Sequence, residues 1–233
     1  MKYAQICEIK ELRNRTGVFA DRCQAGQVLA GLLGQLDLQS PLVLAIPAGG
    51  VPVAVPLAEA LNCQLDVAVV SKITLPWNSE AGYGAVAFDG SCLLNEAMIK
   101  AVGLSDAEVS RGIEKTREKV LRRIAALRKG GAEIEMATRQ VIVVDDGLAS
   151  GFTMQAAVDA LRRAGVKSIV VAAPTGHESS LQLLAKTADN ICCANVRTGS
   201  SFAVAAAYQH WGDVSETEAL HALQEYQRKH CLL

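Results

Sequence analysis

Aromatic residues make up only 4% of the 233-residue chain, so a core built from it has to be aliphatic. Net charge is close to zero, at −1, which leaves no global electrostatic case for nucleic acid. No apolar run approaches the ~18 residues that a membrane span needs. The opening segment, MKYAQICEIKELRNR, carries charges throughout and has no apolar stretch of the kind a signal peptide requires. The cysteines, at 7, 23, 63, 92, 192, 193 and 231, are odd in number and contain no C-x-x-C, which argues against a disulfide framework and against a zinc site. Cys192-Cys193 lies in an apolar run and reads as buried thiols. Neither G-x-x-x-x-G-K-[ST] nor G-x-G-x-x-G occurs, and there is no repeat or low-complexity tract. These absences predict a soluble, cytoplasmic protein without a membrane anchor. Half of the residues are apolar, enough for one sizeable domain over 1–233.

What is present is concentrated between Gln140 and Ala164. Val141-Ile142-Val143-Val144 is a run of β-branched residues, the pattern of a strand buried on both faces. Asp145 and Asp146 follow, then a small-residue loop, Gly147-Leu148-Ala149-Ser150-Gly151-Phe152-Thr153. Met154, Ala157, Val158 and Leu161 then recur at helical spacing, and Gly165 closes the helix. A parallel strand feeding a helix places that helix N-terminus at the carboxyl edge of a sheet, where free N–H groups and the helix dipole favour an anion. Gly147 and Gly151 admit close approach of a ligand, and Ser150 and Thr153 offer hydroxyls. The acids would repel a phosphate at contact distance; they suit sugar hydroxyls, or Mg²⁺ held through water. A ribose 5-phosphate satisfies both halves.

This acid pair and loop, DDGLASGFTM, resembles the ribose-phosphate signature of type I phosphoribosyltransferases. It is similar to the DDGLATGATM form of a bacterial group of such proteins. The resemblance implies a parallel sheet with flanking helices and a small hood. It also implies 5-phosphoribosyl 1-diphosphate (PRPP) as ligand, with Mg²⁺ as cofactor.

A second glycine loop leaves another apolar strand, Pro41–Ile46, and reads Pro47-Ala48-Gly49-Gly50-Val51-Pro52 before a helix from about Val53 to Leu61. Its exposed amides make an anion-binding concavity at the same sheet edge. In the family the equivalent loop holds the diphosphate and commonly reads Pro-Arg-Gly-Gly; here Ala48 stands at the basic position. Gln64–Ser71 is read as a third strand ending in Lys72, the cation that the resemblance assigns to the diphosphate. The segment from Thr74 through Trp77 to Gly84 is expected to be irregular and to act as a lid. The hairpin signal Asp89-Gly90 and a helix over about Asn95–Val102 follow. Ser105 to Glu108 then reads as a capping box, opening a helix to about Arg128. Residues 85–131 are read as a hairpin and helical insertion, with Lys129-Gly130-Gly131 as its hinge. The basic face of the long helix, including Arg111, Lys115, Lys119, Arg122 and Arg123, is read as solvated. So are Arg13, Arg15 and Arg22. Asp21 is expected to cap a helix over Arg22–Leu36.

Strands Ser168–Ala173 and Asn190–Ala194 complete an α/β, doubly wound parallel sheet. Pro174 to His177 is read as the loop between Ser168–Ala173 and the helix that follows it. Ser215 to Glu218 is a second capping box. In relatives a Phe near the tail stacks on the nucleobase, which makes Phe202 the candidate here.

The reading is a phosphoribosyltransferase that moves ribose 5-phosphate from PRPP to a nitrogenous base and releases diphosphate. Asp145, Asp146 and Lys72 carry the catalytic assignment. The substrate-binding set is Ala48, Gly49, Gly50, Gly147 through Thr153, and Phe202. Mg²⁺ is expected to be held through PRPP and water with no direct protein ligand, Asp145 and Asp146 being the candidates for any contact. The partners are PRPP and a nucleobase-like molecule, and a homodimer is the expected assembly. A regulatory protein that binds PRPP or a nucleotide without turnover is the alternative.

Overall fold

The computed structural model describes residues 3–128 and 135–230, with the side chains of Ser79 and Glu80 left out of the description. The expected 129–131 hinge and Cys231 therefore lie outside the described residues. In chain order the elements are β1 (Gln5–Cys7), α1 (Arg22–Leu33), β2 (Leu42–Ala45), α2 (Gly50–Leu61), β3 (Gln64–Val67), β4 (Ser71–Leu75), β5 (Asn78–Val86) and β6 (Cys92–Leu94). They continue with α3 (Glu96–Val102), α4 (Asp106–Leu127), β7 (Gln140–Val144), α5 (Phe152–Arg163), β8 (Ser168–His177), α6 (Glu178–Leu184), β9 (Asn190–Arg197) and α7 (Glu216–His230).

Six strands form one parallel sheet in the order β1-β9-β8-β7-β2-β3. Alternate residues of each central strand feed opposite faces. Val43, Ala45, Ile142, Val144, Val170 and Ala172 pack with α1, α2 and α7. Leu42, Leu44, Val141, Val143, Ile169 and Val171 pack with α5 and α6. Both faces are covered, which is why these strands read as unbroken apolar runs. The core is aliphatic apart from a few aromatics such as Phe19, Tyr83 and Tyr226.

From β2 the chain winds outward to β3, and from β7 it winds the opposite way to β8 and β9. The neighbouring pair β2 and β7 is thus the switch point of the sheet, where the loops leaving two adjacent strands diverge and open a crevice. Val144 pairs with Ala45, so the 46–49 and 145–151 segments leave the sheet side by side.

Several boundaries differ from expectation. The third strand ends at Val67, and Ser71–Leu75 is a separate strand, β4, in an antiparallel sheet with β5 and β6. Lys72 therefore lies within β4 rather than at the end of a parallel strand. The 74–84 segment is a hairpin, not irregular chain: Leu75 pairs with Asn78 across Pro76-Trp77. The signal was the period-2 burial of Ser71, Ile73 and Leu75, which the prolines and glycines around it obscured. Helix α2 begins at Gly50, because a proline in the first turn of a helix forfeits no hydrogen bond. Strand β8 runs on through Pro174 to His177, paired with Asn195, Val196 and Arg197 of β9.

The helix caps follow local chemistry. Asp21 accepts from the Gln24 amide, and Ser105 with Glu108 forms a reciprocal capping box. Ser215 and Glu218 bond to each other in the same way. Arg123, expected to be solvated, is buried: it bridges Glu216 at 2.7 Å and donates to the Val70 carbonyl at 3.2 Å.

Candidate active site

The two acids end β7 at the switch point. Asp145 Oδ1 accepts the Asp146 amide at 2.9 Å, which holds the pair in one fixed turn. Asp146 lies against the second loop: a Cβ placed on Gly49 would come within 2.2 Å of Asp146 Oδ2. One on Gly50 would come within 2.7 Å of the Val144 carbonyl. These two glycines are what allow the 47–50 loop to close onto the acids, and only glycine leaves that space.

Asp146 is also paired. Arg22, the first residue of α1, reaches Asp146 Oδ2 with Nε and with a terminal nitrogen, both at 2.9 Å. Its other terminal nitrogen donates to the Gly212 carbonyl at 2.8 Å. The guanidinium lies 3.8 Å from the centroid of the Trp211 ring, stacked on its face. The side chains of Arg22 and Asp146 are only 11% and 16% exposed, so this is an enclosed ion pair rather than a surface contact. Tyr208 donates to the Asp146 carbonyl at 2.5 Å, and burial holds its phenol protonated for that bond. A cation at the start of a helix opposes the helix dipole, so Arg22 is placed for Asp146 and against the preference of its own helix.

Burial raises the carboxyl of Asp145 well above the usual range, and repulsion from Asp146 adds to the rise. Asp146 is raised by burial as well, with Arg22 opposing. The pair shares its charge unequally: Asp146 holds it beside the guanidinium, and Asp145 takes up a proton first.

The loop after the acids turns back on β8. Leu148 is buried and bonds both ways, accepting the His177 amide and donating to the Thr175 carbonyl, each at 2.9 Å. Gly147 packs under Val204, where a Cβ would be 2.3 Å from a Val204 methyl. Gly151 has φ +76° and starts α5 with no side-chain cap. Among the described residues, the amides of Ala149, Ser150, Gly151 and Thr153 donate to no protein group, and Ala149 and Ser150 are exposed. Phe152 and Thr153 form the first helical turn. An open helix N-terminus with unspent amides favours an anion.

Phe202 lies beyond β9, with its ring edge-on to His177 at 5.7 Å and near the Arg197 guanidinium at 6.0 Å. Lys72 stands apart from this constellation. It lines a cavity between the β4–β5 hairpin and α4. Among the described residues, no group of three or more His, Cys, Asp or Glu side chains could hold a metal by itself. A pair of carboxylates suits a Mg²⁺ that takes its remaining oxygens from phosphates and water.

The family profile described as "Phosphoribosyl transferase domain" matches residues 85–211, which include the acid pair, the anion loop and Tyr208. The chain belongs to the phosphoribosyltransferase family. Protein TT1426 of Thermus thermophilus, known from a crystal structure, is 31% identical; its alignment spans 89% of this chain and 98% of that one, with a TM-score of 0.72. Relatives from two strains of Mycobacterium tuberculosis, provisionally named phosphoribosyl transferases, are 34% identical over 211 residues. That match takes in 91% of this phosphoribosyltransferase-family chain and 47% of theirs, so the chain spans about half the length of those relatives. No helix among the described residues is long and apolar enough to cross a membrane.

Sequence reading did not find Arg22, Tyr208 or Trp211. Arg22 was one basic residue among several near a helix start. The only available signal was a cation at N1 directly after an Asp cap, a position where the helix dipole disfavours it.

Proposed function

We propose that this member of the family transfers ribose 5-phosphate from PRPP to a nitrogenous base and releases diphosphate. The observation that supports this best is the meeting of two loops at the switch point: an acid pair with an open anion loop on one side, and a glycine loop closed against Asp146 on the other. In this reading the free amides from Ala149 to Thr153 hold the 5′-phosphate, with Ser150 and Thr153 hydroxyls beside them. Asp145 and Asp146 accept hydrogen bonds from the ribose hydroxyls and stabilise positive charge developing at C1. Gly49 offers its backbone amide to the diphosphate, while Gly50, whose amide is spent on the Ile46 carbonyl at 3.0 Å, lets the loop pack against the acids. The cation that Ala48 does not provide comes from Arg22, which moves from Asp146 toward the leaving group. Lys72, on β4, is the second cation this reading assigns to the diphosphate. Mg²⁺ would be held by PRPP and water against the acid pair, and when bound it neutralises diphosphate charge. Phe202 is assigned to the base.

The test is diphosphate release from PRPP with Mg²⁺ across a panel of purine and pyrimidine bases. Release with at least one base is expected, and Asp146→Ala should abolish both release and PRPP binding with the fold retained. Normal PRPP binding by that variant would remove the acids from the site.

A second reading, a PRPP-binding regulator without turnover, draws on Ala48 and on the engagement of Asp146 by Arg22. Tight PRPP binding with no release for any base would select it.

A further inference from the structure

The long helix α4 sorts its charges. Glu114 pairs with Arg117 at 3.7 Å and Glu118 with Arg122 at 3.6 Å. Among the described residues, Arg111, Lys115 and Lys119 take part in no hydrogen bond or ion pair. They follow one another at intervals of four, so they form one column of like charge, an arrangement that works against a helix through repulsion.

That column is solvent-exposed along one side of α4. It lines a cavity of about 690 Å³ between α4 and the β4–β5 hairpin, a size that holds a small organic ligand. Arg122 lies on the same wall, and Lys72 belongs to the hairpin side. Among the described residues the acid in the lining is Glu108, which is occupied by the capping box with Ser105, and that bond lowers its carboxyl. At the hairpin turn the Trp77 ring is 63% exposed and also lines the cavity.

The floor is built, not incidental. A Cβ at Gly112 would lie 1.9 Å from the Tyr83 hydroxyl, so α4 rests directly on β5 at the one residue that permits it. Tyr83 is buried beneath the helix, and Thr116 ties its hydroxyl to the Gly112 carbonyl at 2.7 Å. The helix therefore cannot swing away to dissolve the cavity without exposing an aromatic ring.

Converging cations and an exposed indole match a ligand with several negative charges and a flat ring. We propose that this cavity is a second site, distinct from the acid-pair site, which binds a nucleoside carrying two or more phosphates: the phosphates on the Arg111–Lys115–Lys119 column and the base on Trp77. The site lies between the helix and the hairpin whose tip carries Trp77, so occupancy holds that tip against α4. It does not depend on the reading of the acid pair.

The test is calorimetric titration of the full chain at low salt with ATP, GTP and inorganic tripolyphosphate, alongside indole fluorescence. Binding of a nucleoside triphosphate with quenching of Trp77 is expected, with Trp77→Phe removing the quench. The double variant Lys115→Gln/Lys119→Gln should weaken binding at least tenfold. These are exposed helix positions, so the variant keeps its fold. Asp146→Ala should bind the triphosphate as the parent does, which separates this cavity from the acid-pair site. Absence of binding, or binding indifferent to the lysine pair, would overturn the proposal. So would tripolyphosphate binding as tightly as the nucleotides, since the ring would then play no part. Tighter binding of a single-stranded oligonucleotide would overturn it in favour of a nucleic-acid surface.

Discussion

At the scale of single residues, the acid pair is where the proposed function and stability oppose each other. Asp145 has a raised carboxyl because burial and the neighbouring Asp146 disfavour its charge. A carboxyl raised in the folded state binds more protons there than in the unfolded chain. Its stabilising effect is therefore full at pH below the unfolded value and is lost as pH rises toward the folded one. Asp145→Asn removes that loss and still accepts the Asp146 amide. It should melt higher than the parent at pH 7, with the gap closing as pH falls below the ordinary carboxylate range, while ribose-phosphate binding is lost. Thermal unfolding against pH checks this; equal melting at pH 7 would mean that the charge is not penalised. Arg22→Ala acts in the opposite direction, since it strands a carboxylate in an enclosed site. A cost of about 3–5 kcal/mol is expected by denaturant unfolding. Arg22→Ala combined with Asp146→Ala should recover a substantial part of it.

At the scale of elements, two helices deliver the site. Helix α1 brings Arg22, and α2 follows directly from Gly49 and Gly50. Their approach is set at Gly26, where a Cβ would meet the Val53 carbonyl at 2.2 Å and Pro56 at 2.7 Å. Backbone cannot turn aside as a side chain can. Gly26→Ala should therefore destabilise by about 1–3 kcal/mol through overpacking, although alanine gains about 1 kcal/mol in helix propensity. By moving α2 it should also weaken binding at the glycine loop. Unfolding and PRPP titration of the same variant read both effects. Unchanged stability would show that the helices separate freely.

At the scale of the whole molecule, both faces of the six-stranded sheet are covered, and the cysteines report on that. Burial pushes the thiol of Cys192 up to about 12 and that of Cys63 to about 11, and raises Cys193 further still. Cys23 is exposed. In a Cys231→Ser background at pH 8, a thiol reagent should modify Cys23 first. Cys192 and Cys193 should react only at the rate of global unfolding. Rapid modification of the buried pair in native buffer would mean that the β9 region opens on its own.

Much of this molecule was legible in its residues because the deciding physics is local. A strand of β-branched residues, an acid pair, a glycine at positive φ and a capping box are each specified within a few neighbouring positions. They placed β7, its loop and α5 correctly, and they identified the doubly wound class. The β4–β5 hairpin was missed because its alternation is short and set among prolines and glycines that also signal loops. The pairing of Arg22 with Asp146 spans 124 residues, and that of Tyr208 with the Asp146 carbonyl spans 62. Such meetings depend on strand order and on how closely two helices pack, which no local pattern encodes. Residue patterns alone put an acid pair and a glycine-opened helix start at the end of one buried strand; packing across the fold decided which cation pairs with Asp146.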